Sequence, residues 1–216
     1  MTDANFHITT PRLYLTHLLP TNLSHCAFIV ALYNTPEFIA SIGGKPTSIT
    51  TPEAARKLIE NRFDAEHARN GYGTYLVSLK PPTADGTDEE ENRASSTPIG
   101  TVSLSRGLPP DAYAAPDLGF VILPDYTRKG YAREAAAGLL EWAGRERGVS
   151  AVLGLFDPAN EASKGVFRSL GFEDRGKRML RVFGGVEGAV WARSGMEGDL
   201  AVYGLERLHP SRQKRL

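Results

Sequence analysis

The chain has 216 residues, 41% hydrophobic and 23% charged, enough for one domain with a substantial core or at most two small ones. Its 25 basic and 25 acidic residues cancel, so no global field draws it onto nucleic acid. A single cysteine, Cys26, excludes an internal disulfide, and no stretch is long and apolar enough to span a bilayer.

Arg12 to His17 alternates apolar and polar and reads as a strand. Thr21 or Asn22 caps a helix to about Leu32, with Leu23, Ala27, Val30 and Ala31 on one side. Cys26 lies in an apolar run and is expected to pack rather than react. Ile42 to Pro46 is a loop. Thr51-Pro52-Glu53 opens a second helix with a capping hydroxyl, a proline in the first turn and an acid beside it. Asn70-Gly71 stops that helix.

Thr74 to Leu79 is the next strand. Residues 81–97 carry Asp88-Glu89-Glu90-Glu91 and almost nothing apolar, and read as a flexible acidic insertion in a hairpin. Ile99 to Leu104 resumes the sheet, and Ala151 to Phe156 is a buried strand. Asn160 to Ser169 is a short helix with Gly171 just beyond its end. Residues 179–183 and 200–205 read as a final strand pair, and 209–216 as a solvated basic tail. The N-terminal Met1 to Asn5 lacks a signal-peptide pattern, so a cytoplasmic protein is expected.

The segment from Leu118 to Glu141 carries most about function. The apolar run Leu118-Gly119-Phe120-Val121-Ile122-Leu123 stops at Pro124. The basic turn Arg128-Lys129-Gly130 follows, and an alanine- and leucine-rich helix begins. The first amides of a helix lack intrahelical partners and the helix dipole favours an anion there, so this order makes a phosphate site. Leu139, Leu140 and Trp142 on that helix are core packing. No Gly-Lys-Ser/Thr is present, which argues against a nucleoside triphosphatase. His17 and His67 read as surface or structural residues, and no cluster suggests a metal site.

Phe120 to Ala132, with Thr127-Arg128-Lys129-Gly130-Tyr131-Ala132 at its centre, resembles the acetyl-CoA motif of the GNAT acetyltransferase superfamily, Arg/Gln-x-x-Gly-x-Gly/Ala after a strand. Asn160 to Ser163, then Val166 to Phe172, resembles the family's second motif. Thr10 to Leu15 and Pro98-Ile99-Gly100 resemble the branch of ribosomal-protein N-terminal (Rim-type) acetyltransferases. The likeness covers residues 6–208 and implies one α/β domain over 1–216. Its expected fold is a mixed, mostly antiparallel central sheet with splayed central strands, flanked by helices.

The resemblance implies acetyl-CoA as cofactor. Phe120, Val121 and Ile122 would offer backbone groups to its pantetheine arm, with a bulge at Gly119. Arg128, Lys129, Gly130, Tyr131, Ala132 and Arg133 would wrap the pyrophosphate. Asn160 would reach the pantetheine or the adenosine side, with Ser163 on the same helical face. Asp117, where relatives often have an acid, is either the base for the acceptor amine or a surface strand-end carboxylate. Two positions depart from the family pattern. Thr127 replaces the usual Arg or Gln, and Phe167 replaces a tyrosine that acts as general acid in many relatives. The leaving thiolate is then protonated by water or Ser163, or leaves unaided.

The implied activity is an N-acetyltransferase moving acetyl directly to a primary amine in a ternary complex. That amine is a small molecule or a protein N-terminus. The expected protein is a monomer or homodimer with no nucleic-acid or membrane partner. A catalytically silent acyl-CoA-binding regulatory domain is the alternative, resting on Phe167 and on the open identity of the base.

Overall fold

A computed structural model describes residues 3–82 and 89–205. Eight strands hydrogen-bond in the order β1-β2-β3-β4-β5-β6-β8-β7. They form an open, mixed, mostly antiparallel sheet flanked by helices. By contacts the chain divides into two compact units, Met1–Ser105 with Leu118–Val149, and Arg106–Asp117 with Ser150–Leu216.

In the first unit, β1 (His7–Thr9), β2 (Leu13–His17), β3 (Thr74–Leu79) and β4 (Thr97–Ser105) run as an antiparallel series. Five of the six β3 residues are buried, so this strand reads as an apolar run rather than an alternation. Its register shifts between Val77 and Ser78, where Gly100 and Pro98 face it. β5 (Asp117–Ile122) follows β4 in the sheet. Gly100 is required here, because a Cβ on it would strike the Val121 carbonyl oxygen and come within 2.7 Å of Ile122 Cδ1. A Cβ on Gly119 would meet Ser103 Oγ at 2.7 Å, so close approach of β4 accounts for that glycine, for which the sequence suggested a bulge.

α1 (Leu23–Tyr33) is capped by Asn22, whose side-chain oxygen accepts from the Ser24 and His25 amides. It buries Cys26, Ile29 and Leu32, and the first two pack with Ala55, Ile59, Phe63 and Leu76. Of the stripe expected at Leu23, Ala27, Val30 and Ala31, half-buried Val30 packs against this core, while Ala27 and Ala31 are exposed and Leu23 is 76% exposed. That stripe passed over Ile29, which with Cys26 sets the buried side. α2 (Pro36–Ser41), not anticipated, opens with Thr35-Pro36-Glu37, the same signature as Thr51-Pro52-Glu53.

The expected second helix is one rod with an interruption. It runs as α3 (Pro52–Leu58), a π-helical segment (Ile59–Asp64) and α4 (Ala65–Asn70), and ends at Gly71 in the left-handed region with φ +74°. The π segment winds one residue more per hydrogen-bonded ring.

α6 (Tyr131–Arg147) buries Ala135, Ala136, Leu139, Leu140, Trp142 and Ala143, as expected of its apolar stripe. Residues 89–94, inside the span read as flexible, form the short helix α5 (Glu89–Ala94). It is tied to β1 by Thr9 Oγ1 donating to Glu89 and by contacts of Arg93 with the His7 ring, and Asn92 is buried. Acidic composition hid this helix, since its contacts are polar. Residues 83–88 and the basic tail lie outside the described residues.

In the second unit, β6 (Leu153–Phe156), β8 (Val186–Arg193) and β7 (Phe172–Leu180) pair antiparallel. β5 and β6 are parallel, with the single register pair Asp117–Leu153. The core gathers Leu153, Leu155, Leu180, Val190 and Ala192 with Tyr113, Ala115, Met196, Leu200 and Leu205. The predicted closing strand pair is corrected. Residues 172–180 and 186–193 pair, while Leu200–Tyr203 is a 3-10 turn capped by Asp199. β7 reads Glu-Asp-Arg-Gly-Lys-Arg after Phe172, too polar for a strand signal, because it is an edge strand.

α7 (Glu161–Ser169) presses Phe167 inward, 2% exposed, stacked on Phe156 at 5.1 Å and edge-on to Phe172 at 5.1 Å. Gly154 is required beneath it, since a Cβ there would lie 2.7 Å from Phe167 Cζ. Among the described residues no helix is long and apolar enough to cross a membrane.

Candidate functional site

The turn singled out in the sequence begins where β5 ends. Leu123 N–H donates to the Ile99 carbonyl at 2.8 Å, and Pro124–Tyr126 then form one 3-10 turn. Thr127 Oγ1 donates to the Pro124 carbonyl at 2.8 Å, so its side chain closes the turn and does not replace the missing cation. Arg128 adopts φ +60°, the only non-glycine residue with positive φ among those described, and Gly130 adopts φ +82°. A non-glycine residue in this region is disfavoured by contact of its Cβ with the backbone, and such strain persists only where surroundings enforce it.

α6 starts from Gly130 without a side-chain cap. Asn22, Thr35, Thr51 and Asn160 by contrast each accept a backbone N–H at the start of their own helices. The N-terminus of α6 is therefore open to a ligand carrying acceptor oxygens. Arg128, Lys129, Gly130 and Arg133 are exposed, and Tyr131 and Ala132 are half-buried. The Lys129 ammonium sits 5.4 Å over the Tyr126 ring. These predicted residues are contiguous and share one surface turn. Phe120, Val121 and Ile122 lie on β5, one strand before it, and all three keep partial solvent access although β5 is an interior strand.

What holds this turn has no signature in the sequence. Glu134, in the first turn of α6, accepts from Thr10 Oγ1 at 2.7 Å and from the Arg12 N–H at 2.7 Å. Its second oxygen accepts from Arg12 Nε at 2.6 Å. Arg12 Nη1 donates to the Lys129 carbonyl at 3.0 Å, and its guanidinium covers the Tyr131 ring at 4.5 Å. Burial pushes the Glu134 pKa up, but bonds from Thr10 and Arg12 outweigh it and hold the carboxyl below its usual range. Arg12 and Glu134 are 122 positions apart, so no spacing rule could pair them.

In the second unit, Asn160 Oδ1 accepts the Ser163 N–H at 2.9 Å and caps α7. The two predicted residues are thus joined through one capping bond. Asp117 Oδ1 accepts the N–H of Leu155, within β6, at 2.8 Å. Its carboxyl is withdrawn from water although the residue retains some surface. That desolvation raises its pKa well above the ordinary carboxylate value, against the opposing pull of the Leu155 bond.

Phe167, one of the two grounds of the silent-domain alternative, is a core residue packed on Phe156. His17 and His67 are structural. His17 stacks on Phe6 at 4.4 Å, and a His67 ring nitrogen lies 2.9 Å from the Thr74 carbonyl oxygen. No group of three metal-ligating side chains is present among the described residues.

No curated protein sequence matches the chain. Solved structures do. RimL, a ribosomal L7/L12 alpha-N-protein acetyltransferase in complex with coenzyme A, matches with TM-score 0.65 and 18% identity, over 87% of this chain and 97% of that one. Ribosomal-protein-S5-alanine acetyltransferase from Vibrio fischeri matches with TM-score 0.62 and 19% identity, over 88% and 96%. A microcin C7 self-immunity acetyltransferase, MccE, in complex with acetyl-CoA and AMP, gives TM-score 0.64 and 15% identity, over 85% and 92%. At these identities the likeness concerns the fold. Residues 12–173 match the acetyltransferase (GNAT) domain family, and the chain belongs to it.

Proposed function

We propose that the protein is an acetyl-CoA-dependent N-acetyltransferase that moves acetyl to a primary amine by direct attack in a ternary complex. The observation that carries the reading is the uncapped N-terminus of α6, reached through two left-handed residues and flanked by exposed cations. A diphosphate suits such a place: it offers acceptor oxygens to the first amides and negative charge to the dipole and to Arg128, Lys129 and Arg133. RimL and MccE, solved with coenzyme A and acetyl-CoA, support this choice of ligand.

Acetyl-CoA, when bound, supplies the activated thioester. The chain's own groups bind it and handle protons. Gly130 lets the backbone approach the diphosphate, and half-buried Ala132 leaves room there. Backbone groups of Phe120, Val121 and Ile122 are assigned to the pantetheine amides, as an added strand would use them. A β5 amide near Val121 is assigned to polarise the thioester carbonyl. The NH2 group of Asn160, whose oxygen caps α7, is assigned as a donor to the pantetheine or adenosine side, with Ser163 beside it. Asp117 takes the amine proton on Oδ2, directly or through a water, while Oδ1 stays on the Leu155 amide. Its raised pKa makes it a stronger base than an exposed carboxylate.

The acceptor amine is that of a protein N-terminus or of a small molecule; RimL is named an alpha-N-protein acetyltransferase, the Vibrio fischeri enzyme a ribosomal-protein-S5-alanine acetyltransferase and MccE a microcin C7 self-immunity acetyltransferase. Both acceptor classes fit this reading. The test is thiol release from acetyl-CoA across a panel of N-terminal peptides, polyamines, amino acids and xenobiotic amines. Amine-dependent release of one thiol per acetylated product supports it. Tight acetyl-CoA binding with no acceptor-dependent release throughout the panel overturns transfer to an amine.

A further inference from the structure

We propose that Arg12 and Glu134 form a clamp that sets the shape of the Arg128–Tyr131 turn, making Arg12 a positioning residue for the cofactor. This rests on the reading of that turn as the diphosphate site. The turn needs an outside support. It carries Arg128 at φ +60° and Gly130 at φ +82° on either side of Lys129, a backbone that does not hold itself. The Lys129 carbonyl, between the two, accepts from Arg12 Nη1 at 3.0 Å, which ties the middle of the turn to the start of β2.

Arg12 is itself fixed. Its Nε and its backbone N–H both go to Glu134, at 2.6 and 2.7 Å, and its guanidinium lies over the ring of Tyr131, the first residue of α6. Thr10 Oγ1 adds a third bond to Glu134. Thus residues just before β2 grip the residues on both sides of Gly130.

The sign of the charge makes the case. Glu134 is an anion in the first turn of a helix whose N-terminus is assigned to another anion. On charge alone it opposes that ligand. Its value lies in anchoring Arg12, which also neutralises it. Positioning and plain electrostatics therefore predict opposite effects of removing Glu134.

The experiment measures coenzyme A affinity by calorimetry for the unaltered protein, Arg12→Ala, Glu134→Ala and the double variant, with melting temperatures recorded beside each. The clamp predicts that each single change weakens coenzyme A by roughly tenfold or more, and that the double change costs little beyond either, because both remove one unit. Pantetheine, which lacks the phosphates, should give the same melting shift at millimolar concentration in all four proteins. Tighter binding by Glu134→Ala, additive losses, or an equal loss for pantetheine would each overturn the clamp. If the unaltered protein binds no coenzyme A, the reading of the turn falls with it, a different result from intact binding that ignores Glu134. Where an alanine variant does not fold, Arg12→Lys and Glu134→Gln carry the same comparison.

Discussion

His67 offers a quantitative test of the buried aromatic group it belongs to. Its ring lies 4.6 Å from His17 and 4.8 Å from Tyr75, and burial lowers its pKa from 6.5 to about 4. The Thr74 bond and the Asp64 charge pull upward and the His17 charge pushes down, but desolvation dominates. The folded state thus refuses a proton that the unfolded chain takes below about pH 6.5. Stability is whole above that pH and is lost as pH falls from 6.5 towards 4. At about 1.4 kcal/mol per unit, the loss is about 2 kcal/mol at pH 5 and roughly 3 kcal/mol at its limit.

For a chain of this size that is a fall in Tm of about 4–8 °C at pH 5. His67→Gln keeps a donor for Thr74 but removes the titration. The assay is thermal unfolding by circular dichroism at pH 7.5 and at pH 5 for both proteins. The variant should start lower at pH 7.5 and lose less on acidification. His17 and His25, also lowered by burial, leave it a residual slope. Equal losses in the two proteins would refute the argument.

Gly130→Glu places a charged side chain at φ +82° at the start of α6 and should abolish coenzyme A binding with the fold retained, as judged by calorimetry and melting; unchanged affinity would place the phosphates elsewhere. Asp117→Asn can still accept the Leu155 N–H, so stability and cofactor affinity should hold while turnover falls by about 10²-fold or more. In the unaltered protein, turnover should rise as pH passes upward through the elevated Asp117 pKa, and that limb should vanish in the variant. Phe167→Tyr puts a hydroxyl on a ring 2% exposed, which should lower stability by about 1–3 kcal/mol with no gain in rate; a faster enzyme would show that the phenol reaches the leaving thiol.

The fold was legible wherever hydrophobic pattern and turn chemistry agreed. β3, β4 and the apolar stripe of α6 carry strong periodic or continuous apolar signals, and Thr51-Pro52-Glu53 and Gly71 mark real helix ends. β7 and α5 were missed because edge strands and polar-contact helices lack that signal. The turn from Arg128 to Arg133 could be read because its residues are contiguous. Its support could not, because Thr10, Arg12 and Glu134 meet only through the fold. Phe167 reads in the sequence as a departure from a motif tyrosine, and its packing against Gly154 shows only in the fold.

The π segment has an evolutionary consequence. A π turn inside a helix holds one residue more than the regular α-helix would between the same flanking contacts. Here the upstream contacts are Ala55 and Ile59 in the α1 core, and the downstream ones are buried Glu66 and the His67 ring. Deleting one residue between Glu60 and Arg62 would let the rod relax to a regular α-helix. The price is a turn of about 100° that moves Glu66 and His67 off their partners. Homologous chains one residue shorter at this point should therefore lack the histidine pair, and acid tolerance in the family should follow the insertion.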